Sequence, residues 1–247
     1  MLTTDTISVQ LYTVREAIAD DLDAALARVA AIGYRLVEPF SLLKFADGLA
    51  TALPKHGLSA PTTHQALIGQ SHEQIFSTAQ GLGIGTVIDP HIDEARWASE
   101  ESIAEIAAEL NAAAETGKAY GVNVGYHNHA FELSTTIGDR HGLEVLADHL
   151  SDDVVLEVDT YWAYAGGADV PALLRTLGDR VVALHIKDGD GSMDNKKQVA
   201  VGAGSLPVWD YVAAATTMKY GVVELDDSAG DRFVAIEDSF AYLSTGN

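Results

Sequence analysis

The sequence predicts a (β/α)₈ barrel. Three observations carry that expectation. Short β-rich runs alternate with longer helical patterns from end to end, eight such runs can be counted, and 247 residues is the size such a barrel takes. Several of the runs are near-continuously apolar, as expected of parallel strands covered on both faces.

In chain order the strand candidates are Ile7–Leu11, Arg35–Pro39, Leu58–Thr63, Gly85–Asp89, Val122–His127, Val154–Asp159, Val181–Ile186 and Val222–Leu225. Between them lie helical patterns. "DDLDAALARVAAIGY" repeats apolar residues at helical spacing and ends at Gly33, which suits a C-cap. "SEESIAEIAAELNAAAETGKAYG" opens on Ser99 as N-cap, has Ser102 followed by Glu105, and closes on Gly117 or Gly121. "GLEVLADHL" and "DVPALLRTLGD" are shorter, and Pro171 sits near the start of the second, where proline is tolerated. "SLPVWDYVAAATTMKYG" and "DRFVAIEDSFAYLS" complete the series. A doubly wound open sheet is the rival fold, but it has fewer strands on average and no G-x-G-x-x-G follows the first strand. No Ser/Pro-rich linker or low-complexity segment divides the chain, so residues 1–247 read as one domain.

Composition narrows the function classes. Hydrophobic residues make up 47% of the chain, ample for a packed core. The net charge of −21 repels nucleic acid and anionic membranes, so neither is an expected partner. There is no cysteine, which excludes disulfides and thiolate zinc sites and leaves His, Asp and Glu to hold any metal. The start, "MLTTDTISVQLYTV", lacks the features of a signal peptide, and no apolar run approaches the ~20 residues that span a bilayer. A soluble, cytoplasmic protein is the expectation.

In such a barrel the active site is built where the strands end. Polar residues gather there. Strand two ends in Glu38, strand three runs into His64, and strand four ends at Asp89 and His91. Strand five delivers His127, Asn128 and His129, with Glu132 just beyond. Strand six carries Glu157 and Asp159 on one face, strand seven carries His185 and Lys187 in the same relation, and strand eight offers Glu224. Each has a bland alternative. A lone histidine at a strand end is more often hydrogen-bonded structure than a ligand, and Asp226 or Asp227 could simply cap the next helix. The coincidence carries more weight, since Asp159, His185 and Glu224 lie in three apolar strands where an unpaired charge is expensive. A shared divalent cation is the simplest partner, and a salt bridge to Lys187 or an arginine is the structural alternative.

"GYHNHAFEL", "VDTYWAYAGG" and "VVALHIKDGD", in that order, resemble the sugar phosphate isomerase/epimerase family of xylose isomerase-like TIM barrels. "ISVQLYTVREAI", "YRLVEPF", "VGAGSLPVWDYV" and "YGVVELDD" extend the resemblance over nearly the whole chain. The family includes isomerases, epimerases, inosose dehydratases, keto-sugar lyases and an endonuclease branch. Its members usually hold one divalent ion, often manganese and sometimes zinc, cobalt or magnesium, with Glu, Asp, His and Glu from strands five to eight. Carried over, the resemblance implies Asp159, His185 and Glu224 as ligands. The first position falls in "GYHNH", where this chain has His127 and no glutamate. Histidine in that slot is similar to the dehydratase and lyase branches, so His127 is the expected fourth ligand and His129 the competing one. The departure puts a two-glutamate acid/base mechanism in doubt.

The chemistry that the resemblance implies is proton abstraction next to a carbonyl of a sugar or keto-sugar, with a metal stabilising the enediolate. Glu224 or His129 is the expected base. Lys187 is placed to donate to a developing oxyanion, or else to pair with Asp188 or Glu157. His64, Glu38 and Trp162 are expected to line the sugar pocket, with Trp162 as rim packing its bland reading. No phosphate-binding motif is present; "GAG" at Gly202–Gly204 is too short to count as one. An isomerase or epimerase is the first expectation and a dehydratase or β-eliminating lyase the second. The endonuclease branch needs a basic groove, against the net charge of −21. A non-catalytic sugar-binding barrel, or a subunit of a larger enzyme, is the reading from another class. The chain is short for its family, which leaves room for a homo-oligomer whose neighbour supplies loops over the substrate.

Overall fold

The computed structural model describes residues 2–246. Its eight long-range strands are all parallel and follow one another around a ring: β1 Ile7–Gln10, β2 Leu36–Glu38, β3 Thr62–His64, β4 Thr86–Asp89, β5 Asn123–His127, β6 Val154–Asp159, β7 Val181–Ile186 and β8 Tyr220–Val223. Ladders run continuously from β2 through β1, β8, β7, β6, β5 and β4 to β3. The remaining gap, between β2 and β3, is bridged at Leu36–Ser59 and Phe40–His64, which makes the barrel nearly closed.

Strand three begins later than its sequence pattern suggests. Leu58 and Ser59 approach β2, but Pro61 has no N–H to give the ladder, and the regular strand is Thr62–His64. Strand eight is shifted earlier, to Tyr220–Val223, which leaves Glu224 just past its end. A short antiparallel hairpin, Thr136–Ile137 with Arg140–His141, follows strand five and was not expected from the pattern.

Helices fill the connections and pack their apolar faces on the ring. The helix Leu22–Ile32 starts at Asp21, whose side chain accepts from Ala24 N, and stops at Gly33 with φ 125°. Leu26 and Val29 on that helix are fully buried, a contribution of about 1.5–3 kcal/mol each. The longest helix, Glu100–Lys118, has the expected cap: Ser99 and Ser102 exchange side-chain and backbone bonds. Two helices absent from the sequence reading, Leu42–His56 and His72–Gly81, occupy the connections after strands two and three. Among the described residues no helix is long and apolar enough to cross a membrane.

Candidate metal centre and active site

Parallel register sets the site. It places His127 beside Glu157, and Asp159 beside His185, on adjacent strands. Two residues further along β6 and β7 means one layer higher in the barrel, so Glu157 and His185 lie beneath Asp159 and Lys187. The lower layer also contains Gln10, Glu38, His64 and His127. Every one of these side chains is at least nine-tenths buried.

The loop after β5 is held by its own sequence. Asn128 Oδ1 accepts from Asp159 N at 3.0 Å, and its Nδ2 donates to the Asp159 carbonyl at 3.3 Å, stitching the end of β5 to β6. Glu132 accepts from the Tyr126 hydroxyl at 2.5 Å and from His129 N at 2.9 Å. Burial pushes the Glu132 carboxyl up to about 7 despite those donors. Asp159 divides its oxygens: Oδ1 accepts from Trp162 N at 2.9 Å, capping the helix Thr160–Ala165, while Oδ2 faces the site.

His127, Asp159, His185 and Glu224 each offer a donor atom within 4.8 Å of the others. His185 Nδ1 lies 2.7 Å from Glu224 Oε2 and 3.9 Å from Asp159 Oδ2, and His127 Nε2 lies 3.9 Å from the same Asp159 oxygen. Two imidazoles and two carboxylates, all buried, form a nitrogen–oxygen set that suits a divalent ion without thiolates. The cluster could therefore hold a metal.

Lys187 bears on this directly. Its ammonium stands 2.8 Å from Asp159 Oδ2, 2.7 Å from Glu224 Oε2 and 2.6 Å from Asp226 Oδ2. The alternative partners Asp188 and Glu157 are not the ones it takes. Asp188 is occupied by backbone N–H groups, and Glu157 lies in the layer below. Burial alone would lower the lysine; the carboxylates raise it well above its ordinary value. In return, Lys187 and His185 hold Glu224 well below the usual carboxylate range against burial. Asp159 is pushed up to about 6, burial outweighing the pull of Lys187. His129 falls to about 4, through burial and the fields of Lys187 and His91, and is a neutral imidazole at physiological pH.

A cavity of about 380 Å³ opens over this cluster. Glu224 and Asp226 border it on one side; His127 and His129 border it from a strand three places away in the ring. His64 borders it. Glu38 and Trp162 do not border it. Glu38 is fully buried and bonded to His185 Nε2 at 2.8 Å, and Trp162 is 6% exposed with the Lys187 ammonium 5.6 Å from its ring centroid. The aromatic wall comes instead from Tyr12 and Phe40, stacked edge to face at 5.4 Å. Tyr12 lies in the 3₁₀ turn Leu11–Val14 just past β1, and Phe40 at a single bridge just past β2, where no periodicity marks them. Ser41 beside them adopts φ 48°, a left-handed conformation that non-glycine residues rarely hold. Asp226, whose bland reading was a helix cap, is part of the site: besides Lys187, it accepts from Gln198 Nε2 at 2.8 Å. Its spacing of two from Glu224 was the available signal.

The fold and this site together define a (β/α)₈ barrel with a buried histidine–carboxylate cluster at the C-terminal mouth of its strands. The model of the xylose isomerase-like TIM barrels matches residues 26–225, and the chain belongs to that family. Solved structures agree in fold. A sugar phosphate isomerase/epimerase from Parabacteroides distasonis superposes with a TM-score of 0.82 at 21% identity, covering 98% of this chain and 94% of that one. The IolI protein, solved with a zinc atom, gives 0.73 at 16% identity over 97% and 98% of the two chains. The probable 3-DHS dehydratase AsbF from Bacillus anthracis gives 0.75 at 12% identity over 98% and 100%. No curated protein matches the sequence.

Proposed function

We propose that the protein is a divalent-metal-dependent isomerase or epimerase of an uncharged sugar or keto-sugar. The observation that carries this reading is the position of Glu224. It is at once a member of the buried donor set and a wall of the cavity. His127, Asp159, His185 and Glu224 would hold the ion. Manganese is our first choice, zinc, cobalt and magnesium the others, and the IolI structure was solved with zinc. Bound there, the ion would supply Lewis-acid polarisation of a carbonyl and its neighbouring hydroxyl.

The chain's own residues supply the rest. Lys187 and His185 keep Glu224 ionised, so its carboxylate can accept a carbon-bound proton from one side of a sugar. His129 faces the same space from the opposite wall as a neutral imidazole, able to take or return a proton there. Lys187, expected from the sequence to donate to a developing oxyanion, instead holds Glu224, Asp159 and Asp226 in place: its ammonium meets all three carboxylates and does not border the cavity. Tyr12 and Phe40 offer apolar faces to the C–H side of a sugar. Among the described residues no lysine or arginine borders the cavity, which favours a substrate without phosphate.

One observation favours a dehydratase or β-eliminating lyase as the second reading. By the resemblance His127 takes the position of a two-carboxylate epimerase's glutamate, and among the described residues the titratable side chains that border the cavity opposite Glu224 are histidines. Incubation of the metal-loaded protein with ketohexoses and keto-inositols in deuterated water separates the two. Deuterium uptake into otherwise unchanged sugar, or a new sugar isomer, supports the first reading; an unsaturated product supports the second. Asp159→Asn is expected to lose both bound metal and turnover, and undiminished turnover without metal would refute the metal mechanism.

A further inference from the structure

Two donor clusters share the centre of the barrel, and they share two histidines. The upper one is His127, Asp159, His185 and Glu224; the lower one is His64, His127, Glu157 and His185. They use opposite edges of the shared rings. His185 turns Nδ1 to Glu224 at 2.7 Å and Nε2 to Glu38 at 2.8 Å and Glu157 at 3.0 Å. His127 turns Nε2 toward Asp159 at 3.9 Å and Nδ1 toward Glu157 at 3.3 Å.

A neutral imidazole has one N–H and one lone pair. Each ring can therefore present a lone pair to one cluster only and must present its N–H to the other. The two clusters cannot both bind an ion through neutral histidines.

We propose that Glu157 is a positioning residue whose Oε2 gathers the N–H edges of His127 and His185. It thereby fixes the tautomers in which His127 Nε2 and His185 Nδ1 are free to bind metal beside Asp159 and Glu224. This rests on the metal reading given above. The same oxygen hydrogen-bonds His64 Nε2 at 2.6 Å, and the buried His127 Nδ1, 3.3 Å from it, has no hydrogen-bond partner among the described residues. Glu157 is 1% exposed, it does not border the cavity, and among the described residues its Oε1 has no hydrogen-bond partner. In the ion-free protein His185 Nε2 hydrogen-bonds Glu38 Oε1 at 2.8 Å with Glu157 Oε2 beside it at 3.0 Å, its Nδ1 bonds Glu224, a contact that an ion would replace, and Glu38 is itself fixed by Gln10 Nε2 at 2.9 Å. Of the two clusters only the upper one contains a carboxylate that borders the cavity, so only an ion there shares a ligand with the substrate wall. A carboxylate behind a ligating histidine orients the ring and raises its basicity, and its loss typically weakens metal binding roughly 10- to 100-fold.

The test uses zinc alone, which suits magnetic resonance, and the whole chain labelled with ¹⁵N-histidine. In the zinc-loaded wild type, long-range ¹⁵N–¹H spectra are expected to show the proton on Nδ1 of His127 and on Nε2 of His185. Glu157→Gln is expected to bind zinc roughly 10- to 100-fold more weakly in competition with a chelator, with the circular dichroism of the ion-free protein retained. Protons on the opposite nitrogens, or unchanged zinc affinity in a folded Glu157→Gln, overturn the assignment. Should that variant not fold, the wild-type spectrum decides alone. A wild type that binds no zinc overturns the metal reading and this assignment together, whereas bound zinc with exchanged nitrogens overturns this assignment only.

Discussion

Lys187 shows how a single side chain can hold together carboxylates that could also serve an ion. It neutralises carboxylates from β6 and from the end of β8 at distances of 2.6–2.8 Å, with its own ammonium, Asp159 and Glu224 buried and Asp226 part-exposed. Removing one partner of such a buried arrangement costs roughly 3–5 kcal/mol, because the charges left behind remain desolvated. Lys187→Met is expected to lose about that much stability in urea titrations of the ion-free protein, and to regain a good part of it at saturating zinc. A variant equally weakened with and without zinc would show that the ammonium and the ion do not share Asp159 and Glu224. At this scale much of the site was legible in the sequence. Asp159, His185, Glu224 and His127 stand at the ends of apolar strands, where a charge needs a reason. Glu157 could be placed on the same face as Asp159, but its role depends on rings from three other strands. For Glu38, strand-end position tells which mouth a side chain is near, not how deep it sits, and for Trp162 the suitability of an indole face for a sugar says nothing of where the ring packs.

Among the elements, the segment after β7 explains a glycine pair that carried no weight as a motif. Asp188 Oδ1 accepts from Gly189 N at 2.8 Å and Leu206 N at 3.1 Å, and Oδ2 accepts from Gly202 N at 3.0 Å and Gly204 N at 3.1 Å. The "GAG" turn wraps a buried carboxylate of the protein itself. A Cβ at Gly204 would stand 2.1 Å from Asp188 Oδ1 and 2.3 Å from Gly189 N, so the wrapping cannot close around a larger residue. Gly204→Ala is expected to cost about 2–3 kcal/mol and to open residues 189–206 to limited proteolysis. Unaltered stability and protease resistance would contradict this account of the turn. The helix Leu42–His56 was illegible for a related reason. Gly48 and Pro54 argue against a helix locally, yet Gly48 lies against Leu22, where an added Cβ would come to 3.4 Å of its Cδ1. Packing, invisible to a local reading, outweighs propensity there.

For the molecule as a whole, the alternation of strand and helix was enough to count eight staves, because parallel strands demand long crossovers and the crossovers show their helical period. Closure was not legible, since no local pattern says whether the first strands meet. They meet thinly: β2 and β3 are three residues each, and two isolated bridges replace a ladder between them. A hoop gives first at its weakest rivet. The amides of Val37, Ser59 and His64, which donate across that join, are expected to exchange with deuterium ahead of those in the β6–β7 ladder. Slower exchange there than in β6–β7 would rule this out. Phe40, Ser41 and His64 flank the same join and also border the cavity, so the stave expected to yield first forms part of the cavity's rim.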